Sequence, residues 1–167
     1  MLSCELTMDR VDAALIALRR ILRATDLYGR ELKQAAGVTA VQLRVLQIIA
    51  EKGQATPKEI SVRMRVSQAT MTSLVDKLVR DGMVVREKSE QDRRQTNVHI
   101  TPKGLRTLAE APDPLQQRFV RKFETMEDWE QAMLMASLER VAAMLDADDL
   151  DVAPVLEAGD IKQTPAP

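Results

Sequence analysis

The amino-acid sequence, 167 residues long, predicts a mostly α-helical chain that carries one small β-hairpin. Three observations lead to that class. Aromatic residues make up 2% of the chain and hydrophobic residues as a whole 45%, so the core has to be built from Leu, Val, Ile, Ala and nine Met, side chains that suit packed helices. Between Thr56 and Gly82 two helical periodicities follow one another with only Arg65 and Val66 as a joint, which describes a helix-turn-helix. Directly after Gly82 the apolar pattern turns from helical to alternating, the mark of a strand pair.

Each element has a local cause. The first helix is expected from about Met8 to Lys33, where Val11, Leu15, Leu18, Leu22 and Tyr28 recur at three-four spacing, and Gly37 ends its register. Thr39 and Gln42 form a capping box, in which each side chain satisfies a backbone N–H that the helix leaves free, so a second helix starts near Ala40 and stops before Gly53. Thr56 and Glu59 repeat that device with Pro57 at the first helical position, opening a helix from Pro57 to Met64. Ser67 caps the next one, whose inward positions are Met71, Leu74, Val75 and Leu78. Strands are expected over Val84–Lys88 and Asn97–Thr101, with the charged connection 89–96 between them. Thr101 and Pro102 then restart a helix that reaches Glu110.

The segment from Ala111 to Pro114 interrupts the helix, because proline disfavours helical geometry in the residue before it. Asp113 is expected to cap a helix from Pro114 to Glu124, and Thr125 a last one that carries Trp129, Met133, Leu138, Val141 and Leu145. The rest is acidic, with Asp146, Asp148, Asp149 and Asp151, and its end is expected to be disordered. The domain organisation that follows is an N-terminal dimerisation helix over 1–37, a winged helix-turn-helix domain over 38–106, C-terminal dimerisation helices over 107–146 and an acidic tail over 147–167.

Charge is distributed unevenly along these parts. Residues 52–106 hold 12 Lys and Arg against 6 Asp and Glu, a net +6, whereas residues 107–167 hold 5 against 13, a net −8. A basic middle beside an acidic end points to a polyanionic partner for the middle alone, although a solvated charged surface would look the same. No apolar run reaches the roughly 20 residues of a membrane helix, and the N-terminus lacks a basic-then-apolar signal, so a cytoplasmic protein with no membrane partner is expected. The lone Cys4 cannot form an internal disulfide, in keeping with a reducing compartment. One His and one Cys do not make a usual zinc site, and no nucleophile elbow or phosphate-cradling Gly loop is present, so neither enzyme activity nor a metal or cofactor is expected. His99 falls on the strand face opposite Val98 and Ile100, where an exposed wing position is expected.

The second helix of a helix-turn-helix presents its first turns to base edges in the major groove of double-stranded DNA. With Met71, Leu74, Val75 and Leu78 inward, the outward set is Gln68, Ala69, Thr72, Ser73 and Lys77. Gln68 has the donor–acceptor pair for adenine, Ala69 and Thr72 have methyl groups for thymine, and Lys77 suits a phosphate. Small polar residues also suit any exposed helix face. At the hairpin tip, Asp92, Arg93 and Arg94 place two guanidinium groups where a narrow, negative minor groove attracts arginine.

Asp92, Arg93 and Arg94 followed by the run from Val98 to Gly104 resemble the wing signature of the MarR family, with Ile100 where Leu is usual. Ser67, Gln68, Ala69 and Thr70 with Leu74 to Leu78 and Gly82 are similar to that family's recognition helix, and the likeness covers roughly Thr39 to Gly104. It implies a transcriptional regulator, expected to be a repressor, in which Arg94 enters the minor groove, Asp92 steers it and Arg93 meets phosphate. The resemblance also implies a homodimer interlocked through its terminal helices. The residues argue the same way, because the apolar stripes of the first and last helices have no sheet or domain of their own to cover them.

Members of this family are released from DNA by small, often aromatic and anionic effectors bound between the dimer helices and the DNA-binding lobe. Tyr28, Arg20, Arg23 and Arg44 lie where they can line such a ligand-binding site, though a packed tyrosine and surface arginines account for them equally. Cys4 resembles the reactive cysteine of the peroxide-sensing branch in its place at the start of the first helix. The stretch from Phe123 through Trp129 to Pro154 resembles the branch linked to ectoine and osmotic-stress operons. The competing class is a winged-helix protein–protein interaction module without DNA binding, which has no need of arginines at its wing tip.

Overall fold

In the computed structural model, residues 2–89, 95–147 and 155 are described, with side chains from position 9 onward. Seven helices and three short strands appear among them, in the order α1 (Leu2–Ala36), α2 (Ala40–Lys52), β1 (Gln54–Ala55), α3 (Pro57–Met64), α4 (Gln68–Arg80), β2 (Val84–Lys88), β3 (Thr96–Ile100), α5 (Pro102–Glu110), α6 (Leu115–Phe123) and α7 (Asp128–Met144). Both capping boxes form. The Thr39 N–H donates to Gln42 Oε1 at 3.0 Å while the Gln42 N–H donates to Thr39 Oγ1 at 3.3 Å. Thr56 and Glu59 make the corresponding pair, and Pro57 takes the first helical position.

The sheet has the order β1-β3-β2 and is antiparallel throughout. Val84 lies opposite Ile100 and Lys88 opposite Thr96, while Gln54 and Ala55 pair with His99 and Val98. The core sits between α2, α3, α4 and this sheet. Leu46, Ile49, Ile60, Met71, Val75, Leu78 and Val98 are fully buried there, and Tyr28 and Leu32 join them from the C-terminal half of α1. Leu74, expected inward, is only partly buried against this cluster.

Several boundaries differ from expectation, each for a local reason. Helix α1 begins at Leu2, a turn and a half before the expected start. Strand β1 has no period of its own to read, since two residues earn strand geometry only by pairing with β3. Strand β3 ends one residue early because Thr101 leaves the strand to cap α5, its hydroxyl accepting from the Gly104 N–H at 3.1 Å, and it starts one residue early where Thr96 pairs with Lys88. Asp113 does not cap α6, which starts after Pro114 without any side-chain cap; its carboxylate is instead held by Arg121 at 2.5 Å. Thr125 does not cap α7 either. Its hydroxyl donates to the Lys122 carbonyl at 2.7 Å, and Glu127, two residues later, forms the cap with Glu130. The tail expectation lies outside the described residues apart from Ala147 and Val155, and the side chain of Cys4 lies outside them as well.

The terminal helices behave differently from the rest. No residue of α6 or α7 is buried. Trp129 is 65% exposed, and Phe119, Met133, Met135 and Leu138 are exposed beside it in sequence. Helix α1 likewise leaves Val11, Leu15, Ile21 and Leu22 in the open, all before its buried Thr25.

Gly104 marks the tightest point of the fold. A Cβ there would meet the Met83 carbonyl oxygen and lie 2.7 Å from Ile100 Cγ1, and a backbone carbonyl cannot swing aside as a flexible side chain can. Gly104→Ala is therefore expected to destabilise the chain by about 1–3 kcal/mol, read as a lower urea midpoint with an unchanged slope. An unaltered midpoint would show that the contact between α5 and the start of β2 is looser than described.

Candidate nucleic-acid interface

The interface is built on the joint between α3 and α4. Arg65 takes the left-handed conformation at φ 51°, which turns the chain sharply enough for Ser67 to cap α4 two residues later. The Ser67 hydroxyl accepts from the Thr70 N–H at 3.1 Å and lies 2.9 Å from the Thr70 hydroxyl. Ser67, Gln68, Ala69, Thr72, Ser73 and Lys77 are all exposed, and Thr70 is half-buried. The Thr72 hydroxyl donates to the Gln68 carbonyl at 2.8 Å, a turn back along its own helix. Lys77 and Arg80 place positive charge in the last turn, where the helix dipole favours it.

The hairpin is fastened to α4 at two levels. At its base the Thr101 N–H donates to the Met83 carbonyl at 3.0 Å, the Thr101 hydroxyl to the Gly82 carbonyl at 2.8 Å and Lys103 Nζ to the Asp81 carbonyl at 2.7 Å. Gly82 has φ +69°, a left-handed turn that lets the chain reverse from α4 into β2. Further out, Arg86 on β2 donates to Asp76 on α4 at 2.5 Å. On the other side Asn97 Nδ2 donates to Gln54 Oε1 at 3.2 Å, joining β3 to β1. His99 is half-buried rather than exposed, because β1 covers one edge of its strand, and its ring lies 3.7 Å from the Glu87 carboxylate.

A groove of about 930 Å³ runs between the hairpin and the starts of α3 and α4, and Lys52, Thr56, Lys58, Gln68, Ser89 and Gln95 are among the residues that line it. Its lining mixes polar with apolar groups and carries Lys52 and Lys58 beside Glu59. Asp92, Arg93 and Arg94 lie outside the described residues, between Ser89 and Gln95 in the sequence. The fastenings Arg86–Asp76 and Asn97–Gln54 were not legible in the sequence, since partners ten and 43 positions apart share no local pattern.

The expected ligand residues divide. Tyr28 is buried and Arg44 half-buried, and both line one small cleft beside α2. Arg20 and Arg23 stand exposed on α1 and do not line that cleft. Arg20 is two helical turns before Tyr28, about 12 Å along the axis, which takes it past the end of the cleft wall. Arg44 is braced on its own helix by Gln47 at 3.2 Å and Glu51 at 3.6 Å, and Glu51 in turn holds Arg63 of α3 at 2.7 Å. Among the described residues no group of His, Cys, Asp and Glu is placed to hold a metal ion, and no helix is long and apolar enough to cross a membrane.

Residues 38–96 match the sequence pattern of the MarR family. The HTH-type transcriptional regulator YsmB of Bacillus subtilis is 31% identical over 125 residues, a match that covers 75% of this chain and 86% of that protein. The HTH-type transcriptional repressor IacR of Pseudomonas putida is 32% identical over 103 residues, covering 62% and 58%. Among solved structures, a mutant MarR from Escherichia coli complexed with operator DNA superposes with a TM-score of 0.50 at 25% identity, over 77% of this chain and 95% of that one.

Glu59 gives the interface a pH-dependent foundation. Its carboxylate accepts from the Thr56 N–H at 2.8 Å and from the Thr56 hydroxyl at 3.0 Å, and these bonds, with Lys52 alongside, hold it below the usual carboxylate range. A depressed folded-state value means that its contribution to stability is complete above the ordinary range and is lost as pH falls through the lowered value. Glu59→Gln keeps an acceptor without the charge. Its stability should fall short of the parent by under about 1 kcal/mol near neutrality, the pair being solvent-exposed, and the gap should close between about pH 6 and pH 3 in urea titrations. A gap that stays constant over that range would remove Glu59 from the account.

Proposed function

We propose, on the premise that this chain belongs to the MarR family, that it is a sequence-specific DNA-binding transcriptional regulator that represses by holding a pseudo-palindromic operator as a homodimer. The observation that carries the reading is one rigid unit with two projecting parts: the exposed row Gln68, Ala69, Thr72, Ser73 and Lys77 on α4, and a hairpin tied to that helix through Asp76, Gly82 and Met83. A helix of this width fills a major groove, and the hairpin end then meets the neighbouring minor groove. Thr72 spends its hydroxyl proton within the helix and offers its methyl group outward, the contact that thymine takes. Ser67 and Thr70 serve as the cap that aims the first turn, while the groove bearing Lys52 and Lys58 suits the phosphate strand between the two. Arg94 is assigned to the minor groove, Asp92 to its orientation and Arg93 to phosphate, from the family pattern.

The homodimer is supported by the exposed apolar residues of α1, α6 and α7, since a single chain leaves Leu22 62% and Trp129 65% exposed. Pairing these surfaces about a two-fold axis covers both and sets two reading helices roughly 34 Å apart. Repression is supported by the likeness to IacR, a named repressor. A cytoplasmic location goes with work on DNA. A small-molecule effector at Tyr28 and Arg44 is part of the reading, and Arg20 and Arg23 can contribute only through a neighbouring surface. The narrower assignment to the osmotic-stress branch rests on the sequence from Phe123 to Pro154. There the signal is ionic strength itself, which with about eight neutralised phosphates weakens binding with a log–log slope of roughly −7.

Binding to the DNA upstream of the chain's own gene, followed by fluorescence anisotropy across a salt series, tests the reading. Arg94→Ala should weaken binding by about 1–3 kcal/mol per site and make the salt slope shallower by about one charge per chain. Equal affinity and equal slope in the variant would favour a winged-helix module that binds protein instead.

A further inference from the structure

The joint between α3 and α4 holds an arginine in a backbone conformation that favours glycine. Met64 before it is fully buried, and Val66 after it packs against the core with its N–H donating to the Ser61 carbonyl at 3.1 Å, so the residue between them has to turn left-handed and face outward. Helices that end this way most often place Gly or Asn there, because a Cβ in the left-handed region crowds the following carbonyl. Here the residue is Arg65, exposed, at φ 51° and ψ 39°. Even after the extra freedom that glycine has in the unfolded chain, glycine at this position favours folding by about fivefold. A cation at a helix C-terminus meets the negative end of the dipole, which offsets only part of that strain. The neighbouring cations are used within the fold: Arg63 is held by Glu51 at 2.7 Å, Lys52 by Glu59 at 3.7 Å and Arg86 by Asp76. The Arg65 guanidinium makes no hydrogen bond or ion pair among the described residues.

We infer that Arg65 is a further DNA-contact residue, a phosphate clamp at the entry to α4 whose binding role accounts for the strained turn. Strain kept at a position where nothing inside the chain uses the side chain points to a use outside it. Arg65 stands three residues before Gln68, within about 11 Å along the chain, and Ser67, Gln68 and Ala69 are exposed with it. With the first turn of α4 in a major groove, the phosphates that border the groove pass the segment leading into the helix, and a guanidinium there takes two phosphate oxygens at once. Arg65 does not line the groove that carries Lys52 and Lys58, so it meets a different phosphate of the same site. Such a contact carries no sequence information; it fixes how the first turn of α4 is seated. The inference rests on the DNA-binding reading of this chain.

The test titrates the full chain across a salt series against two duplexes, the DNA upstream of its own gene and a scrambled duplex of equal length, with urea unfolding alongside. Arg65→Gly should raise the urea midpoint with an unchanged slope and yet weaken binding about fivefold to tenfold per chain at about 0.1 M salt. The loss should be the same factor on both duplexes, with the log–log salt slope shallower by about one per chain. Arg65→Asn, which also tolerates the left-handed turn and is stiffer than glycine, should lose the same contact, and Arg65→Lys should keep the slope. A glycine variant that binds as the parent does, or that is no more stable than the parent, overturns the inference. So does a loss confined to the upstream duplex, which would make Arg65 a reader of bases. Parent binding that responds to Arg94→Ala but not to Arg65→Gly removes Arg65 alone, whereas a parent that binds neither duplex at low salt removes the DNA-binding reading and Arg65 together.

Discussion

The junction where α4 ends and the hairpin begins controls the geometry of the whole interface. Three successive carbonyls, those of Asp81, Gly82 and Met83, accept from Lys103 and Thr101, and Gly104 has no side chain to hold the α5 start away from Met83. Each bond is modest, about 0.5–1.5 kcal/mol net, but together they leave the hairpin one direction in which to leave the helix. Asp76 and Arg86 repeat the constraint a turn further out, where a solvent-exposed ion pair adds little stability yet sets an angle. A reader of two adjacent grooves needs that angle more than it needs the energy.

The second structural theme is the contrast along α1. Its last turns place Thr25, Tyr28 and Leu32 inside the chain's own core, while Val11, Leu15 and Leu22 remain exposed. One helix thus belongs to the reading domain at one end and is free for a partner at the other. Helices α6 and α7 carry the same kind of uncovered apolar surface, and the proposed two-fold pairing joins the three. In that arrangement the cleft at Tyr28 lies where the two roles of α1 meet, so whatever occupies it acts on a helix shared by the core and the dimer.

Much of this was legible in the sequence because helix starts are local chemistry. Thr39 with Gln42, Thr56 with Glu59, Ser67, and Thr101 with Pro102 mark four helix starts, and in each case the cap and the helix are within four residues of one another. The exposed row on α4 was legible for the same reason, since the buried Met71, Val75 and Leu78 fix which side faces out. What failed was either too short or too distant. Two residues of β1 have no periodicity, and their strand geometry comes from β3, more than 40 positions away. Asp113 and Thr125 look like caps, but an arginine eight residues on and a carbonyl three residues back compete for them and win. The separation of Arg20 and Arg23 from Tyr28 and Arg44 likewise depends on packing that residue type does not encode.

Groove-specific methylation interference on the DNA upstream of the gene tests the central claim most directly, because guanine N7 reports the major groove and adenine N3 the minor. The account requires two symmetric clusters of N7 interference about 10 base pairs apart, each flanked by N3 interference where the hairpin reaches. A single unpaired cluster, or saturating protein with no interference in either groove, would contradict it.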